Sequence, residues 1–128
     1  MDEHHLSQRL SRVAAYVQPG SRVADIGADH AYLAAALVLE KKSDYVVAGE
    51  VVKGPYQNAV DEVQAQGLTG QVHVRLADGL AAIGPADRVD TITIAGMGGS
   101  LITQILDSGQ DKLAGVKRLI LQPNVGEE

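Results

Sequence analysis

Three acidic residues stand where apolar runs give way to small ones: Asp25 in Ala24-Asp25-Ile26-Gly27-Ala28-Asp29-His30, Glu50 in Ala48-Gly49-Glu50-Val51, and Asp78 in Leu76-Ala77-Asp78-Gly79. Carboxylates accept hydrogen bonds from hydroxyl and amino groups and attract cations. In the first segment a glycine lets the backbone approach a ligand, and a helix that starts just beyond it offers unpaired amide groups. That is nucleotide-pocket chemistry, but the dinucleotide pattern G-x-G-x-x-G is broken, with Asp29 and Tyr32 at the second and third glycine positions. Asp29 would repel a pyrophosphate. A cationic adenosine compound, S-adenosylmethionine with its sulfonium and amino group, suits these carboxylates on Coulomb grounds. The alternative use of Asp25 or Asp29 is to cap the following helix.

Glu50 lies about 20 residues beyond the glycine turn, the spacing at which an acid meets both hydroxyls of a ribose. A lone acid in this position more often faces solvent, so its weight comes from its neighbours. Asp78 can accept from an adenine amino group, or it can simply form an Asp-Gly turn. Ala95-Gly96-Met97-Gly98-Gly99 places three glycines in four positions before a helix, which marks a wall of the site where the backbone must come close. Met97 fits that wall or an apolar gap in the core. Asn124, in Gln122-Pro123-Asn124, falls on the same side. Of the histidines only His30 is near the pocket; His4 and His5 read as a mobile terminus and His73 as a strand residue, and no pair has metal-ligand spacing.

The elements that must position these groups alternate regularly. Leu6, Leu10, Val13 and Val17 form an amphipathic stripe, with Arg9 and Arg12 on other faces, ending at Pro19-Gly20. Strands are predicted over Arg22–Ile26, Tyr45–Glu50, Val72–Leu76, 89–95 and 118–122, with helices over 31–39, 54–66 and 100–106. Gly67 is the expected C-cap of the second of these. Strands joined by helical crossovers describe an α/β, doubly wound and mostly parallel sheet preceded by a helix, whose ligands sit at the carboxyl ends of the strands.

Composition narrows the function classes. The 128 residues are 45% hydrophobic and 21% charged, which suits one soluble globular domain. No run approaches the roughly 20 apolar residues of a membrane span. With no cysteine, thiol catalysis and zinc fingers are excluded, and with no Trp or Phe the usual stacking platform for single-stranded nucleic acid is missing. A net charge of −5 is the wrong sign for binding nucleic acid through phosphates alone. The opening Met1-Asp2-Glu3-His4-His5 lacks the pattern of a secretory signal, so a cytoplasmic protein is expected.

Several segments together resemble the bacterial tRNA (adenine-22-N1)-methyltransferase family. They are Leu6-Ser7-x-Arg9-Leu10, Asp25-Ile26-Gly27-x-Asp29-His30-Ala31-Tyr32-Leu33, Gly49-Glu50-Val51-Val52-x-Gly54-Pro55-Tyr56, Val74-Arg75-Leu76-x-Asp78-Gly79-Leu80, Ile94-Ala95-Gly96-Met97-Gly98-Gly99 and Leu119-Ile120-Leu121-Gln122-Pro123-Asn124. The resemblance covers nearly the whole chain, with Ala28 and Ala34 where Ser and Pro are expected. It implies a Rossmann-like class I methyltransferase that uses S-adenosylmethionine to methylate N1 of adenine 22 in tRNA.

Cofactor contacts are then expected from Asp25, Gly27, Ala28, Asp29 and His30 at the first turn, Glu50 and Val51 at the second, and Asp78, Gly79, Ala95 and Gly96 beyond. Met97, Gly98, Gly99 and Asn124 are expected on the side of the tRNA base, and Asp29 is the expected catalytic group. The resemblance also implies a helical C-terminal domain that helps to hold tRNA and is absent here. Residues 1–128 are therefore expected to be the catalytic domain, ending after the fifth strand of a larger sheet. A binding-only domain that holds the cofactor or a nucleotide without chemistry is the rival expectation.

Overall fold

Five apolar runs form one parallel sheet: Arg22–Ile26 (β1), Tyr45–Glu50 (β2), Val72–Leu76 (β3), Thr91–Met97 (β4) and Arg118–Pro123 (β5), in the order β3-β2-β1-β4-β5. The structure is a computed structural model that describes residues 6–28 and 30–124. Asp29, the two histidines of the opening segment and residues 125–128 lie outside the described residues. Four helices connect or precede the strands: Gln8–Ala15 (α1), Tyr32–Leu39 (α2), Lys53–Ala65 (α3) and Gly99–Ser108 (α4). Among the described residues no helix is long and apolar enough to cross a membrane.

Strand alternation sends successive side chains to opposite faces, and this builds two cores. Val23, Val46 and Ala48 pack with Leu33, Leu37, Ala59 and Val63 beneath α1, α2 and α3. Ala24, Val47, Ile92 and Ile94 pack with Leu80 and Ile102 on the side of α4. Nearly all of α2 is apolar because it is pressed between the sheet and α1, which explains its lack of a polar face. The N-cap of α1 is Ser7, whose hydroxyl accepts from Leu10 N at 3.2 Å, and Lys42 Nζ donates to Ala14 O at 2.7 Å near its other end. This short helix is thereby fixed over the sheet.

Most predicted boundaries hold within two residues. Helix α2 begins one residue later than expected because Ala31 is left-handed, with φ of 59°. Strand β4 begins at Thr91, two residues late, because Asp90 is committed to joining strands: its N donates to Arg22 O, its carboxylate accepts from Arg22 N, and its carbonyl accepts from Lys117 N. Short 3₁₀ turns at Gly79–Ala82, Pro85–Asp87 and Gln110–Lys112 were not anticipated, since each is shorter than a helical hydrophobic period. Strand β5 pairs with β4, and its Leu119 and Leu121 remain exposed while Ile120 is buried.

The 3₁₀ turn at Pro85–Asp87 delivers a buried carboxylate that ties the sheet together. Asp87 accepts both guanidinium arms of Arg75, at 2.5 and 2.9 Å, together with the Tyr45 hydroxyl and Gly84 N at 2.6 Å. Its own carbonyl accepts from Arg22 Nε at 2.8 Å, and the Arg22 guanidinium lies 3.9 Å from the centre of the Tyr45 ring. The Arg75 fork holds the Asp87 carboxyl well below the usual carboxylate range. A folded-state pKa below the unfolded value means that this contribution is complete above about pH 4 and is lost on further acidification. Asp87→Ala should destabilise the domain by about 2–4 kcal/mol, toward the lower end for a broken ion pair because Arg75 is partly exposed. Urea denaturation at pH 7 measures this, and the difference from the parent should narrow as the pH falls below about 4.

Candidate active site

Consecutive strands run outward from β1 to β3 on one side, and the chain then returns to place β4 on the other side of β1. The crossovers leaving β1 and β4 therefore diverge, and a crevice opens between their carboxyl ends. A cleft of about 310 Å³ occupies this position, lined by Asp25, Gly27, Ala28, Glu50, Ala95, Gly96 and Met97 from the strand ends. Arg9 and Leu10 from α1, Leu33 from α2 and Pro55 from α3 complete its walls.

Parity places both acids on one face. Asp25 follows Val23 by two residues on β1, and Glu50 follows Ala48 by two on β2, so both side chains point to the face under α1 to α3. Thr93 is the register partner of Asp25 on β4, and its hydroxyl donates to Asp25 Oδ1 at 2.8 Å. Asp25 is thus committed to Thr93, which decides against the reading of this residue as a helix cap. Its carboxyl is pushed up to about 7, chiefly by burial; the Thr93 hydrogen bond opposes the shift and the nearby Glu50 charge adds to it. Glu50 is only 8% exposed, so of the two readings of this acid the solvent-facing one is excluded.

The two glycine turns show why side chains are excluded. Gly27 has φ of +76°, and an added Cβ would overlap Met97 Cε. Met97 accordingly serves both proposed roles, packing partly against the core while its methyl end lies over the turn. Gly27 N and Ala28 N donate to Gly49 O at 2.9 and 3.1 Å, which brings the first turn against the end of β2. Gly96 has φ of +79° and sits at a register irregularity between Ala95 and Met97. Asn124 braces this bulge, its Nδ2 donating to Gly96 O at 2.7 Å and its N to Met97 O at 2.8 Å. Gly98 is the N-cap of α4 and Gly99 its first residue.

Not all predicted residues share this cleft. Asp78 and Gly79 line a neighbouring one of about 410 Å³ with Leu80, Leu101, Gln104 and Ile105, on the α4 side of the sheet. The two are linked through the backbone, since Ala77 N donates to Glu50 O at 2.8 Å. The Asp78 side chain makes no capping hydrogen bond to the 3₁₀ turn that follows it. Val51, the residue after Glu50, is 61% exposed and lines neither cleft, and Val52, Leu76 and Leu101 are further exposed apolar residues. His30 is half-buried and stacks on Tyr32 with ring centres 5.2 Å apart. Among the described residues no three His, Asp or Glu side chains converge as metal ligands.

Two residues escaped the sequence reading. Thr93 lies within an apolar strand and is found only from its register with Asp25. Arg9 appears as a polar position off the stripe of α1, although it stands in one of the segments that carry the family resemblance.

A doubly wound parallel sheet with two carboxylates and two glycine turns at its switch point defines a Rossmann-like domain with a cofactor-type cleft. Residues 23–128 match the family model described as tRNA (adenine(22)-N(1))-methyltransferase. The chain is 50% identical over 125 residues to the Bacillus subtilis tRNA (adenine(22)-N(1))-methyltransferase, covering 98% of this chain and 52% of that protein. A Streptococcus pneumoniae structure in complex with S-adenosyl-L-methionine superposes with a TM-score of 0.92 at 54% identity, covering 96% of this chain and 57% of that one. The structure of M. capricolum TrmK in complex with S-adenosyl-homocysteine gives a TM-score of 0.79 at 36% identity, covering 85% of this chain and 49% of that one. The chain belongs to the tRNA (adenine(22)-N(1))-methyltransferase family, and it spans about half the length of these relatives.

The buried Asp25 makes a pH prediction for the ligand-free protein. Its folded-state pKa is raised, so the folded state holds a proton that the unfolded chain releases, and stability falls as the pH rises from about 4 to about 7. Asp25→Asn should remove this dependence and stabilise the domain by about 1–3 kcal/mol at pH 8, with little gain at pH 4. Urea midpoints across that range measure it; a gain of the same size at pH 4 would assign the effect to packing instead of charge.

Proposed function

We propose that this chain is the cofactor-binding and catalytic part of an enzyme that transfers a methyl group from S-adenosylmethionine to N1 of adenine 22 in tRNA. The observation that carries the reading is the convergence of Asp25 and Glu50 in one cleft beside two glycine turns, in a chain of this family. Two acids on one floor favour a cationic ligand over a phosphate. The relatives crystallised with S-adenosyl-L-methionine and S-adenosyl-homocysteine support the same cofactor.

Bound S-adenosylmethionine supplies a methyl group on a sulfonium, open to in-line attack by the lone pair of adenine N1. The C–N bond forms as the C–S bond breaks, sulfur keeps the bonding pair, and the base becomes cationic. Glu50 accepts from the ribose hydroxyls, and Asp78 accepts from the cofactor's adenine amino group across the strand ends, with Val51 against the adenine ring. Gly27, Ala28, His30, Gly79 and Ala95 shape the backbone around it. Asp29 acts near N6 of the target base, stabilising the positive charge as it develops. Met97, Gly98 and Gly99 form the floor for the unstacked base, with Asn124 holding the loop. Holding both reactants at near-attack distance is the main task of these groups.

A net charge of −5 supports a tRNA grip that comes largely from outside this chain, from the length that the relatives have and this chain does not span. A tRNA substrate also fits a cytoplasmic protein.

Titration calorimetry of the chain with S-adenosylmethionine tests the pocket: Glu50→Ala should weaken binding by about 1–3 kcal/mol. Transfer of a labelled methyl group to tRNA tests the chemistry. Asp29→Ala should abolish transfer while cofactor affinity stays within about tenfold; unchanged turnover removes Asp29 from the mechanism. Cofactor binding without any transfer by the parent chain would favour the binding-only reading.

A further inference from the structure

Helix α1 carries two arginines and no acid over Gln8–Ala15, in a chain whose net charge is −5. It packs over β4 and β5 and against α2, and its first turns form part of the cleft wall through Arg9 and Leu10. Its apolar side, Val13 and Ala14, is buried in the core together with Val17 just beyond. Arg9, Arg12 and Tyr16 follow at i, i+3 and i+7, and Tyr16 keeps helical backbone angles as the C-cap, so the three share one flank of the helix. Arg9 shows which way that flank looks: a Cβ built on Gly96 would stand 3.4 Å from its Nη2, beside the bulge of β4. Arg12 and Tyr16 continue the stripe away from the cleft over about 10 Å, at 1.5 Å per residue. Both are exposed, Tyr16 to 65%, and among the described residues neither side chain makes a hydrogen bond or an ion pair.

A cationic stripe with an exposed aromatic ring, leading into a cleft, suits a polyanion one of whose bases enters that cleft. We infer that the flank of α1 is the tRNA contact of this chain, with Arg12 on a backbone phosphate and Tyr16 stacked on a base beside it, an inference that rests on the methyltransferase reading above. Phosphate contacts fix register and orientation without reading sequence, which is what delivering one base to a cleft requires. Stacking on a tyrosine accepts any base, because each has a π-face. The contact adds direction to a grip that comes mainly from elsewhere. A lipid surface suits this helix poorly, since its apolar side is already used in the core.

Fluorescence anisotropy of an end-labelled tRNA carrying adenine 22, titrated with the chain at several salt concentrations, tests the assignment. The parent, Arg12→Ala, Tyr16→Ala and Tyr16→Phe are compared with Lys117→Ala, an equal loss of charge at an exposed residue just before β5, at the end of the sheet opposite the cleft. Thermal melts and S-adenosylmethionine titrations on the same samples verify that each variant is folded and keeps its cofactor affinity within about twofold. Arg12→Ala should weaken tRNA binding about three- to tenfold at low salt and reduce the slope of log affinity against log salt by about one. Tyr16→Ala should weaken it about fivefold or more at unchanged slope, while Tyr16→Phe keeps most of the affinity. Lys117→Ala should stay within about twofold of the parent. Equal losses in Arg12→Ala and Lys117→Ala, no loss in Arg12→Ala and Tyr16→Ala, or no tRNA binding by the parent at low salt would overturn the inference. Light scattering that shows a dimer dispersed by Arg12→Ala, with tRNA affinity intact, would assign the flank to a second copy and overturn it as well. A folded parent that binds no S-adenosylmethionine fails the cofactor reading itself, whereas intact cofactor binding with tRNA affinity indifferent to α1 removes the role of α1 alone.

Discussion

The reversal of strand order beside β1 is the constraint on which the rest of the molecule depends. Because β1 is paired on one side to β2 and on the other to β4, it is central and its backbone groups are fully used. The connections leaving β1 and β4 must then cross to different layers, and the space between them cannot be filled by either. Everything placed at that edge inherits its direction from the sheet: parity sends Asp25, Glu50 and Ala95 to one face, and the turn after β3 carries Asp78 to the cleft on the other. The cleft that holds Asp25 and Glu50 follows from the pleat, and the one beside it that holds Asp78 follows from the turn after β3.

Burying Asp25 is costly, and the structure offsets only part of that cost. One hydroxyl bond from Thr93 satisfies one oxygen, while burial and Glu50 still hold the group near neutrality. A buried carboxyl with a raised pKa at the switch point fits the proposed reading of a cationic cofactor in this cleft. A cationic ligand favours the charged form, so the same proton equilibrium couples binding to pH. Stability is recovered elsewhere, where Asp87 binds Arg75, Tyr45 and Gly84 together and shows the opposite shift. Two buried aspartates in one domain thus differ in role because one is surrounded by donors and the other is not.

Much of this was legible in the amino-acid order. Short β-branched runs alternating with helical stripes specify a parallel sheet, and the strands Arg22–Ile26, Tyr45–Glu50 and Val72–Leu76 occur where expected. Glycine turns after the first and fourth strands mark the switch point for the same reason, since few other residues tolerate their geometry. What could not be read was register and depth. Thr93 looks like any β-branched strand residue until β4 is aligned with β1, and Arg9 looks like a solvated helix position until α1 is docked. The burial of Glu50 follows from its position among the other strand ends and not from the residue alone, because a lone acid after a strand carries no information about what packs over it. The 3₁₀ turn that delivers Asp87 is too short to leave a periodic trace.

The chemistry of the rim follows from what the composition lacks. With no Trp or Phe in the chain, the exposed apolar surface that follows the second, third and fourth strands is largely aliphatic, from Val51, Val52, Leu76 and Leu101. Aliphatic faces give contact area without the quadrupole of an aromatic ring, so they discriminate little between one base and another. On the proposed cofactor reading, selectivity comes from the polar groups beside those faces: Glu50 and Asp78 on the carboxylate side, Arg9 on the cationic side, and the backbone exposed by Gly27 and Gly96. Each is carried at or near the end of a different element, and only the sheet order brings them together. A change in that order, more than the loss of any single contact, would disperse the site.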